Sequence, residues 1–174
     1  MRWLVAIAML ASSALPSVSA GAPQAALSVP DQQMLKDAAL GLRDAILSGD
    51  VPRILSHISQ SGLTCTDAKY SLKRVSRDLR NRKSYLYLSL FNTAEFSKQC
   101  GSGYPPEFPA ISEKDFFTAD KNLSVEIVAV SPEVAQVIFK SHIKEHYQRE
   151  WWFKKEGAEW RLVGGFIVGD CTCG

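Results

Sequence analysis

Past its first twenty residues the chain has no long hydrophobic run: nowhere does it reach the roughly 18 uncharged apolar residues of a membrane-spanning helix. It also lacks an excess of either charge. Lys and Arg number 20 against 18 Asp and Glu, a formal net charge of +2, so net charge selects no partner class. Several signatures of chemistry are missing as well: the G-x-S-x-G elbow, the phosphate-binding G-x-x-x-x-G-K loop, the dinucleotide G-x-G-x-x-G turn and paired C-x-x-C zinc spacing. Their absence lowers the common enzyme classes, and no cofactor is expected. Histidine is scarce, with three residues, and cysteine nearly so, with four.

The first twenty residues, MRWLVAIAMLASSALPSVSA, are of a different kind. One early cation at Arg2, an apolar run from Trp3 to Leu10 and small residues at Val18 and Ala20 read as a secretory signal peptide cut after Ala20. The run is too short to cross a bilayer of about 30 Å. The expected product is a secreted or periplasmic protein: a flexible leader over 21–29, then a single domain over 30–174.

Export gives the four cysteines meaning. An even count in an oxidising compartment points to disulfides among Cys65, Cys100, Cys171 and Cys173. A Cys171–Cys173 bond would close a very small, strained ring. The favoured pairing therefore joins Cys65 and Cys100 each to one tail cysteine, pinning a tail that would otherwise fray. Two alternatives stay open: a Cys65–Cys100 bond beside a redox-active C-x-C tail, and a soft-metal site on the tail.

Apolar spacing predicts helices first. Leu35, Ala38, Ala39, Leu42, Ala45 and Ile46 recur at helical period between Pro30 and Ser48, with Gly49 as the stop. Asp50 caps a second helix carrying Val51, Ile54, Leu55 and Ile58. LTCTD after Gly62 reads as a short extended piece. A third helix, Ala68 to Lys83, turns Leu72, Val75 and Leu79 to one side and holds seven cations, Lys69, Lys73, Arg74, Arg77, Arg80, Arg82 and Lys83, against the single acid Asp78. Lys69, Lys73, Arg77 and Arg80 share its other face. They form an electrostatic footprint for anions such as lipid headgroups or lipopolysaccharide. Nucleic acid is set aside, because an exported protein seldom meets it and no recognition motif accompanies the patch.

SYLYLSLF, Ser84 to Phe91, alternates like a two-faced strand, with a helix as the open alternative. Asn92 with Glu95 resembles a capping box, and a Gly- and Pro-rich loop leads to a short helix from Glu113 capped by Ser112. The last third reads as three antiparallel strands. Leu123, Val125, Ile127 and Ala129 alternate in the first, and a turn follows at Ser131. Ala135, Val137, Phe139 and Ile143 form the apolar face of the second, which Glu150 to Lys155 extends or restarts. A tight turn at Gly157 leads to a strand with Trp160, Leu162 and Phe166 on one face. The fold class is α+β, N-terminal helices packed on a curved antiparallel sheet.

The order of elements and the closing phrase WWFKKEGAEWRLVGGFI resemble the nuclear transport factor two-like superfamily, a cone of bent sheet around helices. That resemblance implies a pocket between sheet and helices, used by some members for catalysis of the dehydratase or isomerase type and by others for binding or dimerisation. Tyr85, Tyr87, Trp151 and Trp152 are the candidates for lining such a cavity. For catalysis Glu126, which interrupts SVEIVAV, and His142 are the candidate general bases. His142 and His146 are spaced H-x-x-x-H, but four residues of strand span about 13 Å, too far for one ion, so no metal is expected. The expected role is non-catalytic binding of a small apolar ligand or a protein partner on the sheet's concave face, with homodimerisation through its outer face. A pocket enzyme and a thiol redox protein using the tail are the alternatives.

Overall fold

The computed structural model describes residues 27–65, 68–100, 111–143 and 148–166. The expected signal peptide and the tail cysteines lie outside them. Leu27 to Val29 do not behave as the end of a loose leader. Leu27 is buried, Ser28 caps the first helix by accepting from the Asp31 N–H at 3.2 Å, and Val29 begins that helix.

Helix α1 (Val29–Ser48) stops where Gly49 takes φ 71°, a left-handed conformation that costs glycine little and returns its N–H to the last turn. Asp50 at once caps α2 (Val51–His57), accepting from the Arg53 N–H at 3.1 Å. Strands β1 (Leu63–Cys65) and β2 (Ala68–Tyr70) form a small hairpin. Helices α3 (Leu72–Arg80), α4 (Tyr85–Phe91), α5 (Thr93–Cys100) and α6 (Glu113–Ala119) follow, and then β3 (Ser124–Ser131), β4 (Val134–Lys140), β5 (Gln148–Glu156) and β6 (Glu159–Gly164) as an antiparallel meander in sequence order. Register shifts at Ala129–Ser131 and Trp152–Phe153 add local twist.

Three expectations need correction. Ala68–Tyr70 is a strand, and the third helix begins only after Ser71, whose hydroxyl accepts from the Arg74 N–H at 3.3 Å, and ends at Arg80, so Lys69 sits on β2 and Arg82 and Lys83 in the turn that follows, leaving four of the seven cations on the helix. Ser84–Phe91 takes the helical alternative rather than the favoured strand. The alternating leucines also place Leu86 and Leu90 one turn apart on a helix, and Ser84 settles the choice by capping it: its hydroxyl accepts from the Tyr87 N–H at 3.1 Å and donates to the Asp78 carbonyl at 2.5 Å. The sheet has four strands where three were expected, because β4 ends at Lys140. There the Asp120 carboxylate takes the Ser141 hydroxyl at 2.8 Å and the His142 N–H at 2.7 Å, and Ile143 points away from the core, 64 % exposed.

The inward side of the sheet carries Ala135, Val137, Phe139, Trp151, Phe153 and Leu162, all fully buried, against Leu35, Leu42 and Ile46 of α1 and Phe116 and Phe117 of α6. Phe117, Phe139 and Trp151 meet edge to face with centroids 4.9–5.3 Å apart, and Phe166 completes the group at 5.7 Å from Trp151. Phe139→Ala should therefore cost about 3–5 kcal/mol in urea unfolding. A loss below about 1 kcal/mol would mean that this cluster does not organise the core.

Candidate functional site

Helix α3 owes its orientation to Val75 and Leu79, which are buried, and to the half-buried Leu72. With those three turned inward, Lys73, Arg74, Arg77 and Arg80 stand in solvent at positions that share the opposite face. Ser71, Ser76 and these four cations line a groove of about 570 Å³. The only acid of the helix is already engaged: Asp78 lies 3.0 Å from the Arg77 guanidinium and 3.7 Å from that of Arg74. Arg74 also stacks on the Tyr70 ring, 4.2 Å from its centroid. Lys69, Lys73, Arg80, Arg82 and Lys83 have no acidic partner among the described residues.

Arg80 links this groove to a second, of about 410 Å³, lined by Gly49, Val51, Leu79, Arg80, Arg82, Tyr87, Phe91 and Lys114. A third groove, also about 410 Å³, lies over His57 between α1 and the β5–β6 turn, with Met34, Trp160, Glu159 and Arg161 in its walls. Gly41, in mid-helix, makes room for that imidazole: a Cβ there would stand 3.0 Å from Cε1. Burial above all, aided by Arg53 and Arg161, holds His57 below the ordinary histidine range and therefore neutral.

Inside the fold the sharpest electrostatic feature is Glu113, the first residue of α6, only 7 % exposed. Its Oε1 pairs with the Arg149 guanidinium at 2.9 Å, while Oε2 has no hydrogen-bond partner. Burial pushes the carboxyl up; Arg149 pulls it back, and so does the indole N–H of Trp151, which influences it without a bond of ordinary geometry. Arg149 also donates to the Ile111 carbonyl at 3.0 Å and lies 4.7 Å over the Phe116 ring centroid.

The residues singled out from sequence fall apart in space. Glu126 is exposed on the outer face of the sheet and ion-paired with Lys140, and His142 is exposed beyond the end of β4. Trp151 is core and not a cavity wall; Trp152, one residue on, is on the outer face and 37 % exposed. Tyr87 lines the second groove, on helices rather than on the sheet, and Tyr85 is half-buried on the same helix. Lys73, Arg77 and Arg80 do come together. Cys65 is buried, and the side chain of Cys100 lies, like Cys171 and Cys173, outside the described residues. Glu113 and Gly41 carried no individual signal in the sequence. Arg149 had a weak one, because it shares the parity of Trp151 and Phe153 and so had to point inward.

Comparison with protein families, with curated proteins and with solved structures returned no match. Among the described residues no group of three or more His, Cys, Asp or Glu side chains could hold a metal ion, and no helix is long and apolar enough to cross a membrane.

The Glu113–Arg149 pair makes a signed prediction. A carboxyl whose folded-state pKa is raised favours folding at low pH and loses that advantage as pH rises above its unfolded value. Removing Arg149 takes away a group that lowers it, so the loss should deepen. Arg149→Met should be mildly destabilised near pH 3.5, below the ordinary glutamate value of about 4.3. At neutral pH, where the buried carboxylate is left uncompensated, it should lose about 3–5 kcal/mol. Urea unfolding across that range would refute the assignment if the loss were independent of pH.

Proposed function

We propose that the protein is an exported, non-catalytic binding domain whose contact surface is the basic face of α3, docking on an anionic lipid surface. The observation that carries this reading is the imbalance at that face. Seven cations lie between Lys69 and Lys83 with one acid, and Asp78 already serves Arg77 and Arg74. A helix exposed merely for solubility mixes both signs along its face. Here the packing of Val75 and Leu79 turns Lys73, Arg74, Arg77 and Arg80 to one side, with Lys69 on β2 and Arg82 and Lys83 in the following turn adding to the charge around them. The leader expected at residues 1–20 would deliver the chain to a compartment bounded by such surfaces.

The architecture proposed with it is the bent-sheet cone of the nuclear transport factor two-like superfamily, supported by helices on one side of a four-stranded meander. Binding of an apolar ligand on the inward side finds less support, because Trp151, Phe153 and Leu162 there are packed as core. A disulfide from the buried Cys65 to Cys100 or to the tail would act as a staple.

Sedimentation with vesicles tests this. The protein should bind vesicles containing phosphatidylglycerol and not pure phosphatidylcholine, and should let go between about 0.1 M and about 1 M salt, as the Debye length falls from about 10 Å to about 3 Å. Lys69→Ala/Lys73→Ala should weaken partitioning by about 2 kcal/mol, roughly 30-fold. Equal binding to neutral vesicles, or retention that ignores salt, would refute the reading.

A further inference from the structure

We infer that the second groove is a discrete site for a phosphate monoester carried on an apolar or aromatic body. Three cations reach it from three separate places: Arg80 from the last residue of α3, Arg82 from the turn after it, and Lys114 from α6. No acid lines the groove, and none of the three has an acidic partner among the described residues. The groove beside His57 differs on this point, since its Arg161 is paired with Glu159. A solvated helix face does not require cations of different elements to meet in one concavity. An ester carrying two negative charges does, and two guanidinium forks match its oxygens.

The rest of the lining is of the opposite character. Val51 and Leu79 supply an aliphatic floor, and the Tyr87 and Phe91 rings stand together with centroids 4.9 Å apart. At Gly49 a Cβ would meet nothing within 4 Å, so the groove is open on that side. A volume of about 410 Å³ fits a small molecule. Inorganic phosphate would use the cations and leave the aromatic wall wet; a phosphate ester on an apolar body uses both. This inference deepens the surface reading, because Arg80 belongs to both sites.

Titration calorimetry of the full chain with phenyl phosphate and with inorganic phosphate, beside the vesicle assay, separates the possibilities. The expected result is one saturable site that takes phenyl phosphate at least about tenfold tighter than inorganic phosphate. Arg82→Ala/Lys114→Ala should lose at least about tenfold in that affinity, while Lys69→Ala/Lys73→Ala, outside the groove, keeps it. Thermal unfolding confirms that each variant is folded. If phenyl phosphate binds no better than phosphate, or if both double variants weaken it equally, the discrete site is overturned and only the field of the basic face remains. Binding of phenyl phosphate without binding of anionic vesicles keeps the groove and overturns the surface reading. The natural source follows from phosphatidic acid, whose headgroup is a monoester. If Arg82→Ala/Lys114→Ala abolishes a preference for it over phosphatidylglycerol, the groove takes a lipid headgroup; if wild type shows no such preference, it takes a soluble phosphate ester.

Discussion

Strand β5 turns toward the helices a row that is apolar in the middle and cationic at both ends: Arg149, Trp151, Phe153, Lys155. The rest of the fold is arranged around those two ends. Arg149 meets Glu113 at the start of α6, and Lys155 meets Asp31 in the first turn of α1 at 2.5 Å. In each case the acid stands where a helix N-terminus favours negative charge, so one carboxylate answers both the strand's cation and the helix dipole. Two helices are thereby fixed over opposite ends of one strand, and the aromatic group of Phe117, Phe139 and Trp151 fills the space between. The Lys155 contact, with the Ser28 hydroxyl, holds Asp31 below the ordinary carboxylate range, whereas the deeper burial of Glu113 outweighs Arg149 and pushes that carboxyl up. The two ends therefore respond to pH in opposite senses.

The basic face follows from this frame. Tyr70 is buried at the end of the hairpin, and Ser71 begins α3 at once, so the helix has little choice about which side meets the core. Ser84 then ties the end of α3 to the start of α4 through the Asp78 carbonyl. That tie places Tyr87 and Phe91 beside Arg80 and Arg82, and α6, held by its own link to β5, brings Lys114 to the same place. The second groove is thus a product of packing between elements. No single segment of sequence contains it.

That difference marks how far the sequence could be read. Features carried by one residue and its near neighbours were legible: the Gly49 stop, the Asp50 and Ser112 caps, the inward Ala135, Val137 and Phe139, and Lys73, Arg77 and Arg80 on one face of the third helix. The leucines of Ser84–Phe91 left strand and helix both open because a residue spaced by two is also spaced by four, and the deciding bond comes from Ser84. The end of β4 could not be seen because it depends on Asp120, twenty residues earlier, whose carboxylate takes the backbone of His142. Glu113 and Arg149 are individually ordinary. Only the fold makes them a buried pair.

A formal charge of +2 says almost nothing about such a molecule, because the pairing of charges and their sum are different quantities. Arg43 with Asp44, Lys98 with Glu95, Lys140 with Glu126 and Arg161 with Glu159 neutralise one another on other parts of the surface, and the inward cations of β5 are met by Glu113 and Asp31. Between Lys69 and Lys83 the same rule fails, since one acid faces seven cations. Exposed pairs add little stability, so their effect here is chiefly spatial: they cancel the field elsewhere and leave it standing over α3. A near-neutral protein can in this way present a strongly cationic surface to one partner and little charge to the rest of its surroundings. That asymmetry, more than net charge, is what an anion approaching the protein would meet.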